Sequence, residues 1–238
     1  MIKVGVMGSA DDALPGGVAD ALRLKAEALG RAVAAAEPRV ALLTGATTGL
    51  IYIVGRAARE AGALHIGVSP ASDEREHASR YELPADACDL IIHTGFGLKG
   101  RNVVLVRSCD IVLFIAGSMG ALNEFTIAHD EGKIIGCLTG TGGVADEAER
   151  LLKTFPKSTG ACVLHGDDPA GLLAACLEAL KSKKDEGVRP QGGKKGYSTW
   201  MSTLSSFRLP PCFPACDFRG VSRLGQQLDD GALANGMP

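Results

Sequence analysis

The chain has 238 residues, 46% of them hydrophobic, with 25 Lys and Arg against 27 Asp and Glu and a formal net charge of -2. That composition supplies a buried core of ordinary size but no cluster of positive charge, which argues against nucleic acid and anionic membranes as partners. The uncharged stretch 40–55 is broken by three Thr and three Gly and falls short of the roughly 20 apolar residues that a membrane helix needs.

In chain order, short apolar runs recur: IKVGVMG (2–8), RVALLTG (39–45), HIGVSP (65–70), DLIIHTG (89–95), DIVLFIAG (110–117), KIIGCLTG (133–140) and ACVLHG (161–166). Each is nearly continuous in hydrophobicity and almost all end in Gly or Pro, the pattern of strands covered on both faces. Helical patterns lie between them. Leu22, Ala26, Leu29 and Val33 share one face of a 3.6-residue repeat, as do Leu173, Cys176, Leu177 and Leu180. The alternation predicts an α/β fold over residues 1–183: a Rossmann-like, doubly wound, mostly parallel sheet of about seven strands with helices on both faces. The pattern stops near Lys184. Residues 184–238 hold five of the eleven prolines and eight glycines, together with Trp200, Phe207, Phe213 and Phe218, and are expected to form an irregular or disordered tail.

The seven cysteines, at 88, 109, 137, 162, 176, 212 and 216, form no CxxC pair, and several fall in apolar strand or helix patterns. They read as reduced thiols of a cytoplasmic protein. Cys212 and Cys216 lack a second pair of ligands, so no metal site is expected. The opening MIKVGVMGSADD carries Lys3 and only a short apolar run, which does not make a secretory signal.

In a parallel sheet, ligands bind outside the carboxyl ends of the strands. A Gly-rich turn from strand to helix there leaves backbone N–H groups unpaired, with the positive end of the helix dipole behind them, and so favours anions. Two stretches qualify: TGATTGLIYIVGRAARE (44–60), with Gly45, Thr47, Thr48 and Gly49, and IAGSMGALNE (115–124), with Gly117, Ser118, Met119, Gly120 and Ala121. GVMGSADDALPGG (5–17), containing Gly8 and Ser9, fits G-x-G-x-x-G only loosely. Two such turns in one sheet favour a phosphorylated ligand, with Thr47 and Thr48 reading equally as phosphate contacts or as turn hydroxyls. Glu124 is expected in the first turn of the following helix, where the dipole would keep it ionised at neutral pH.

The stretches LTGATTGLIYIVGRAAREAGALHIGVSP (43–70), TGFGLKGRNVVLVRSCDIVLFIAGSMGALNEF (94–125) and EGKIIGCLTGTGG (131–143) resemble the LOG family, often labelled "possible lysine decarboxylase", within a DprA/Smf-related group. The branch they resemble most is that of molybdenum cofactor carrier proteins, and the resemblance runs over roughly residues 2–180. The family motif, P-G-G-x-G-T-x-x-E or G-G-G-x-G-T-x-x-E, is matched by Gly117, Gly120 and Glu124. Arg101 and Asn102 take the place of a preceding Arg-Asn pair, in the stretch that opens with Thr94 and Gly95. Ala116, Ser118 and Ala121 depart from the motif, the last replacing a Thr whose hydroxyl would help hold the phosphate.

LOG enzymes cleave the N-glycosidic bond of a nucleoside 5′-monophosphate through a cation-like state that a fixed carboxylate favours. The resemblance implies Glu124 in that role and Arg101 as a planar cationic fork for phosphate or sugar. No general acid stands out: His93 at a strand end and Asp110 at a strand start each have a simpler structural reading. The carrier branch and the altered turn favour binding over catalysis. The implied function is a carrier or sensor of a phosphorylated nucleotide or nucleotide-like ligand, of molybdopterin type or a nucleotide, with no required cofactor and as a homodimer. The alternative is a phosphoribohydrolase that releases free base and ribose 5-phosphate.

Overall fold

The computed structural model describes residues 1–10 and 20–185; the expected tail lies, from residue 186 onward, outside the described residues. Seven strands and seven helices alternate: β1 (Ile2–Gly8), α1 (Asp20–Ala34), β2 (Val40–Thr44), α2 (Gly49–Glu60), β3 (Leu64–Ser69), α3 (Glu74–Ser79), β4 (Leu90–His93), α4 (Gly97–Ser108), β5 (Ile111–Ile115), α5 (Met119–Asp130), β6 (Ile134–Leu138), α6 (Gly143–Thr154), β7 (Cys162–Gly166) and α7 (Pro169–Asp185). Every apolar run read from the sequence is a strand.

Successive side chains of a strand point to opposite faces, so an unbroken apolar run needs cover on both. β1 shows this: Val4 and Val6 join Ala26, Leu29 and Val33 of α1 and Leu50 and Val54 of α2 on one side. Met7 joins Leu105 of α4 and Phe125 of α5 on the other. Helix α7 completes the first layer through Leu172, Leu173, Cys176 and Leu180, and α6 completes the second through Val144, Ala145 and Ala148. Phe114 of β5, wholly buried, meets Phe125 edge-on with ring centroids 5.5 Å apart.

The strand order is β4-β3-β2-β1-β5-β6-β7 and all the pairings are parallel. The chain therefore winds outward from β1 to β4, returns to lay β5 beside β1, and winds outward again. The order reverses between β1 and β5. Crossovers leave that point in opposite directions, and the helices that follow the two strands splay apart above it. A crevice opens there at the carboxyl edge.

Helices α1 and α2 cover β1 and β2 side by side, and they touch through Gly30. A Cβ at that position would meet the Val54 carbonyl oxygen at 2.5 Å and the Ala57 Cβ at 2.8 Å. Helix propensity alone favours Ala over Gly by about 1 kcal/mol. Gly30→Ala is nonetheless expected to destabilise the protein by about 1–3 kcal/mol, because the two backbones must separate. Urea denaturation measures this, and a variant as stable as the parent or more so would show that the helices part freely.

Candidate functional site

The crevice is built from three strand ends. β1 ends at Gly8, whose bare Cα lies against the Ile115 carbonyl of β5 and holds the two strand ends together. After β2 the chain turns through Gly45 and Ala46, the latter at φ 49. The Thr44 hydroxyl fixes this turn by accepting the Ala46 N–H at 3.2 Å while bonded to His65 Nε2 at 2.8 Å. After β5 the chain turns through Ala116 and Gly117 at φ 53 and 108. Here the Thr141 hydroxyl accepts the Ala116 N–H at 2.8 Å, and the Gly117 and Ala116 carbonyls accept the Val144 and Ala145 N–H groups of α6 at 3.0 and 3.1 Å.

The second turn thus ends β5 abruptly and starts α5 at Met119. Ser118 sits at the N-cap in extended conformation, but its side chain makes no capping bond. The amides of the first turn of α5 therefore receive no cap from it, and the space beside Gly120 is open. By contrast, the neighbouring turn before α6 is closed by Asp146, which accepts from Gly140 N and Gly142 N, each at 2.8 Å.

Between these turns lies a cleft of about 160 Å³. It is lined by Gly8, Gly45, Thr47, Arg101, Asn102, Ser118, Gly120, Ala121 and Glu124, all expected site residues, together with Val6, Met7, Ala10, Ile51, Leu98 and Lys99. The remaining expected residues lie around it. Thr48 donates its hydroxyl to the Ala10 carbonyl at 2.5 Å, and Gly49, at φ 68, packs against Ser9 and Ala10. The Ser9 carbonyl accepts the Leu50 N–H at 3.1 Å, so Ser9, Thr48 and Gly49 tie the exit of β1 to the start of α2. Gly117 lies under the lining, where a Cβ would meet Ala121 Cβ at 2.5 Å, and Met119 faces solvent. Thr94 and Gly95 end β4 and are bonded to β3 and the loop after it, through Thr94 Oγ1 to the Ser69 carbonyl at 2.7 Å and Gly95 N to the Ala71 carbonyl at 2.8 Å.

Arg101 forms the floor. Its side chain is only 6% exposed, and the guanidinium fills the space that a side chain at Gly45 would take. Nη1 donates to the Val68 carbonyl at 3.3 Å, its one hydrogen bond among the described residues. Burial pushes its pKa down, partly countered by Glu124, yet from so high a starting value the group stays a cation. Its remaining N–H donors are free for an anion. Lys99, two residues earlier on α4, lines the same cleft; the pairing of a buried and an exposed cation in GLKGRNV was the sequence signal for it.

Glu124 corrects two expectations. It lies in the second turn of α5, beyond the reach of the dipole, because the helix starts only at Met119. It is 7% exposed, and burial, opposed by the charges of Arg101 and Lys99, pushes its pKa up to about 7. Desolvation outweighs attraction because the two groups form no direct ion pair. Asn102, also buried, turns its carboxamide toward both Asn123 and Glu124: with the amide oriented to satisfy its neighbours, its nitrogen donates to Glu124 Oε1 at 3.1 Å and to the Leu98 carbonyl at 2.9 Å. Asp110 is remote from the site, at the start of β5, where Lys3 bonds it through its backbone N–H at 2.8 Å and its ammonium at 2.8 Å. His93 packs edge-on against His77 at the end of β4, with ring centroids 5.8 Å apart.

A carboxyl whose pKa is raised from 4.5 to about 7 keeps in the folded state a proton that the unfolded chain has lost. Stability should therefore fall as pH rises through that window, by about 3 kcal/mol in all. Glu124→Gln is expected to remove most of this slope and to be the more stable protein at pH 8. Urea denaturation across the window checks it, and parallel curves for the two proteins would place the titration elsewhere.

The same architecture occurs in solved proteins. The X-ray structure of TM1055 has 24% identity and a TM-score of 0.64, covering 75% of this chain and 99% of that one, a likeness of fold. The molybdenum cofactor binding protein of Rippkaea orientalis has 27% identity and a TM-score of 0.57 over 76% of this chain and 96% of that one. The molybdenum cofactor carrier protein of Chlamydomonas reinhardtii has 27% identity and a TM-score of 0.59 over 76% and 98%. The family model described as the SLOG cluster4 family matches residues 1–173, which takes in all seven strands and both glycine turns, and the chain belongs to that LOG- and DprA-like family.

Proposed function

We propose that this protein binds a phosphorylated, nucleotide-like cofactor at the carboxyl edge of β1, β2 and β5 and acts as its carrier or sensor. One observation carries the reading: a buried guanidinium with unused donors faces a cleft whose opposite wall is the uncapped first turn of α5. Bare amides, a planar cation and a second cation at Lys99 together complement a phosphate dianion. The likeness to two molybdenum cofactor proteins supports a pterin-type cofactor as the class of ligand.

The cleft is poorer in catalytic than in binding groups. Cleavage of a glycosidic bond uses a carboxylate to stabilise the cationic sugar and a second group to protonate the leaving base. Among the described lining residues Glu124 is the one carboxyl. One feature favours the hydrolase reading: a carboxyl with a pKa of about 7 is poised to exchange a proton at neutral pH. The two readings part on whether a bound mononucleotide is consumed.

Isothermal titration with molybdenum cofactor released from a molybdoenzyme, and separately with AMP and GMP, tests the proposal. Saturable binding without release of free base is expected. Arg101→Ala should weaken it by about 10- to 100-fold, the worth of a charged hydrogen bond pair. Chromatography of the same mixtures detects free base, and release that disappears in Glu124→Gln would replace the carrier reading with the hydrolase.

A further inference from the structure

An edge strand in a parallel sheet is expected to be covered on both faces, yet β4 has one face bare. Its register pairs Leu90 with Ile66 and Ile92 with Val68 of β3, so all four side chains point to the same side. On that side Val68 is buried with Leu105 and Val106 of α4. Helix α4 packs over β3 and β1, and the row beyond it stays open: Leu90 is 56% exposed and Ile92 48%. The outer surface of α4 adds Val103 at 41%, and the residue preceding the helix, Phe96, is 68% exposed. Phe96 folds back over Gly100, where a Cβ would meet Phe96 Cβ at 2.8 Å.

We infer that this surface, formed by Leu90, Ile92, Phe96 and Val103, is covered by a second copy of the same chain. These side chains leave roughly 300–400 Å² of apolar area in water, the size at which a monomer's largest patch signals a partner. That area would form the dry centre of an interface of about 800 Å² per subunit. Three features select a second copy over a foreign partner. None of the four residues is charged, so the surface meets itself across a twofold axis without placing like charges together. Arg107, one helical turn beyond Val103, is already paired with Glu131 at 3.0 Å. And β4 is short and at the sheet edge, so a twofold beside it brings two unpaired edges together instead of leaving each open. Leu98 and Lys99, which line the cleft, follow Phe96 directly, so the second copy lies beside the mouth of the site.

Sedimentation equilibrium of the full chain, with and without single charges in the patch, tests this. The parent is expected to be dimeric or a multiple of a dimer. Leu90→Lys on the strand and Val103→Lys on the helix should each weaken association at least 10-fold with the far-ultraviolet circular dichroism unchanged. Leu24→Lys, an equally exposed apolar position on α1, should leave association as it was. Using two elements guards against one variant failing to fold. A parent that is monomeric at about 100 µM, or an oligomer that neither lysine weakens, overturns the inference, the first outcome assigning the face to a foreign partner or to none and the second moving the interface elsewhere.

Discussion

Everything at the candidate site depends on where one guanidinium is kept. Arg101 is buried because Gly45 offers it room and Val68 offers a carbonyl, and both lie on strands adjacent to the point where the sheet order reverses. A cation so placed is costly unless something negative answers it. Glu124 answers it incompletely, since burial holds its carboxyl near half-protonation around neutral pH. The empty half of that electrostatic demand is what gives the cleft its appetite for an anion.

The turns on either side convert this demand into geometry. Ala46 and Ala116 occupy left-handed conformations that cost an ordinary residue about 1 kcal/mol or more, and each is held there by a threonine hydroxyl from a neighbouring segment. Strained turns persist when the surroundings over-determine them, and here the first turn of α6 also grips the loop through Val144 and Ala145. The result is a rigid rim from which the first-turn amides of α5 project. The departures from the LOG-like motif fit the same picture. Ser118 stays at the rim without capping the helix, and Ala121 lets Gly117 lie close above it, so the cradle keeps its shape with fewer hydroxyls.

The edge of the sheet follows a different logic from its centre. At β1 and β5 both faces are sealed by helices, and glycine and alanine bring the layers into contact. At β4 the helix that would seal one face is displaced toward β3 and β1, because its buried residues Arg101 and Asn102 are committed to the site. Serving the cleft and covering the edge are competing demands on one helix. The cleft takes precedence.

Strand number, strand sequence limits and the two-layer plan were legible in the chain itself, since a run such as IVLFI has no stable place except between two apolar layers. The glycine turns were legible too, as were Arg101 and Glu124 once their spacing was set against the LOG family. What sequence could not reveal was the environment of those two groups. Position along a helix suggested an ionised Glu124 near a dipole, whereas burial against Arg101 without a direct pair decided its protonation. Nor did any local pattern mark Thr44 and Thr141, whose hydroxyls reach the turns only because β2, β5 and the loop after β6 end together. Periodicity and turn chemistry are properties of neighbours in the chain. Desolvation and long-range hydrogen bonds belong to neighbours in space, and those exist only after the sheet has closed its order around β1.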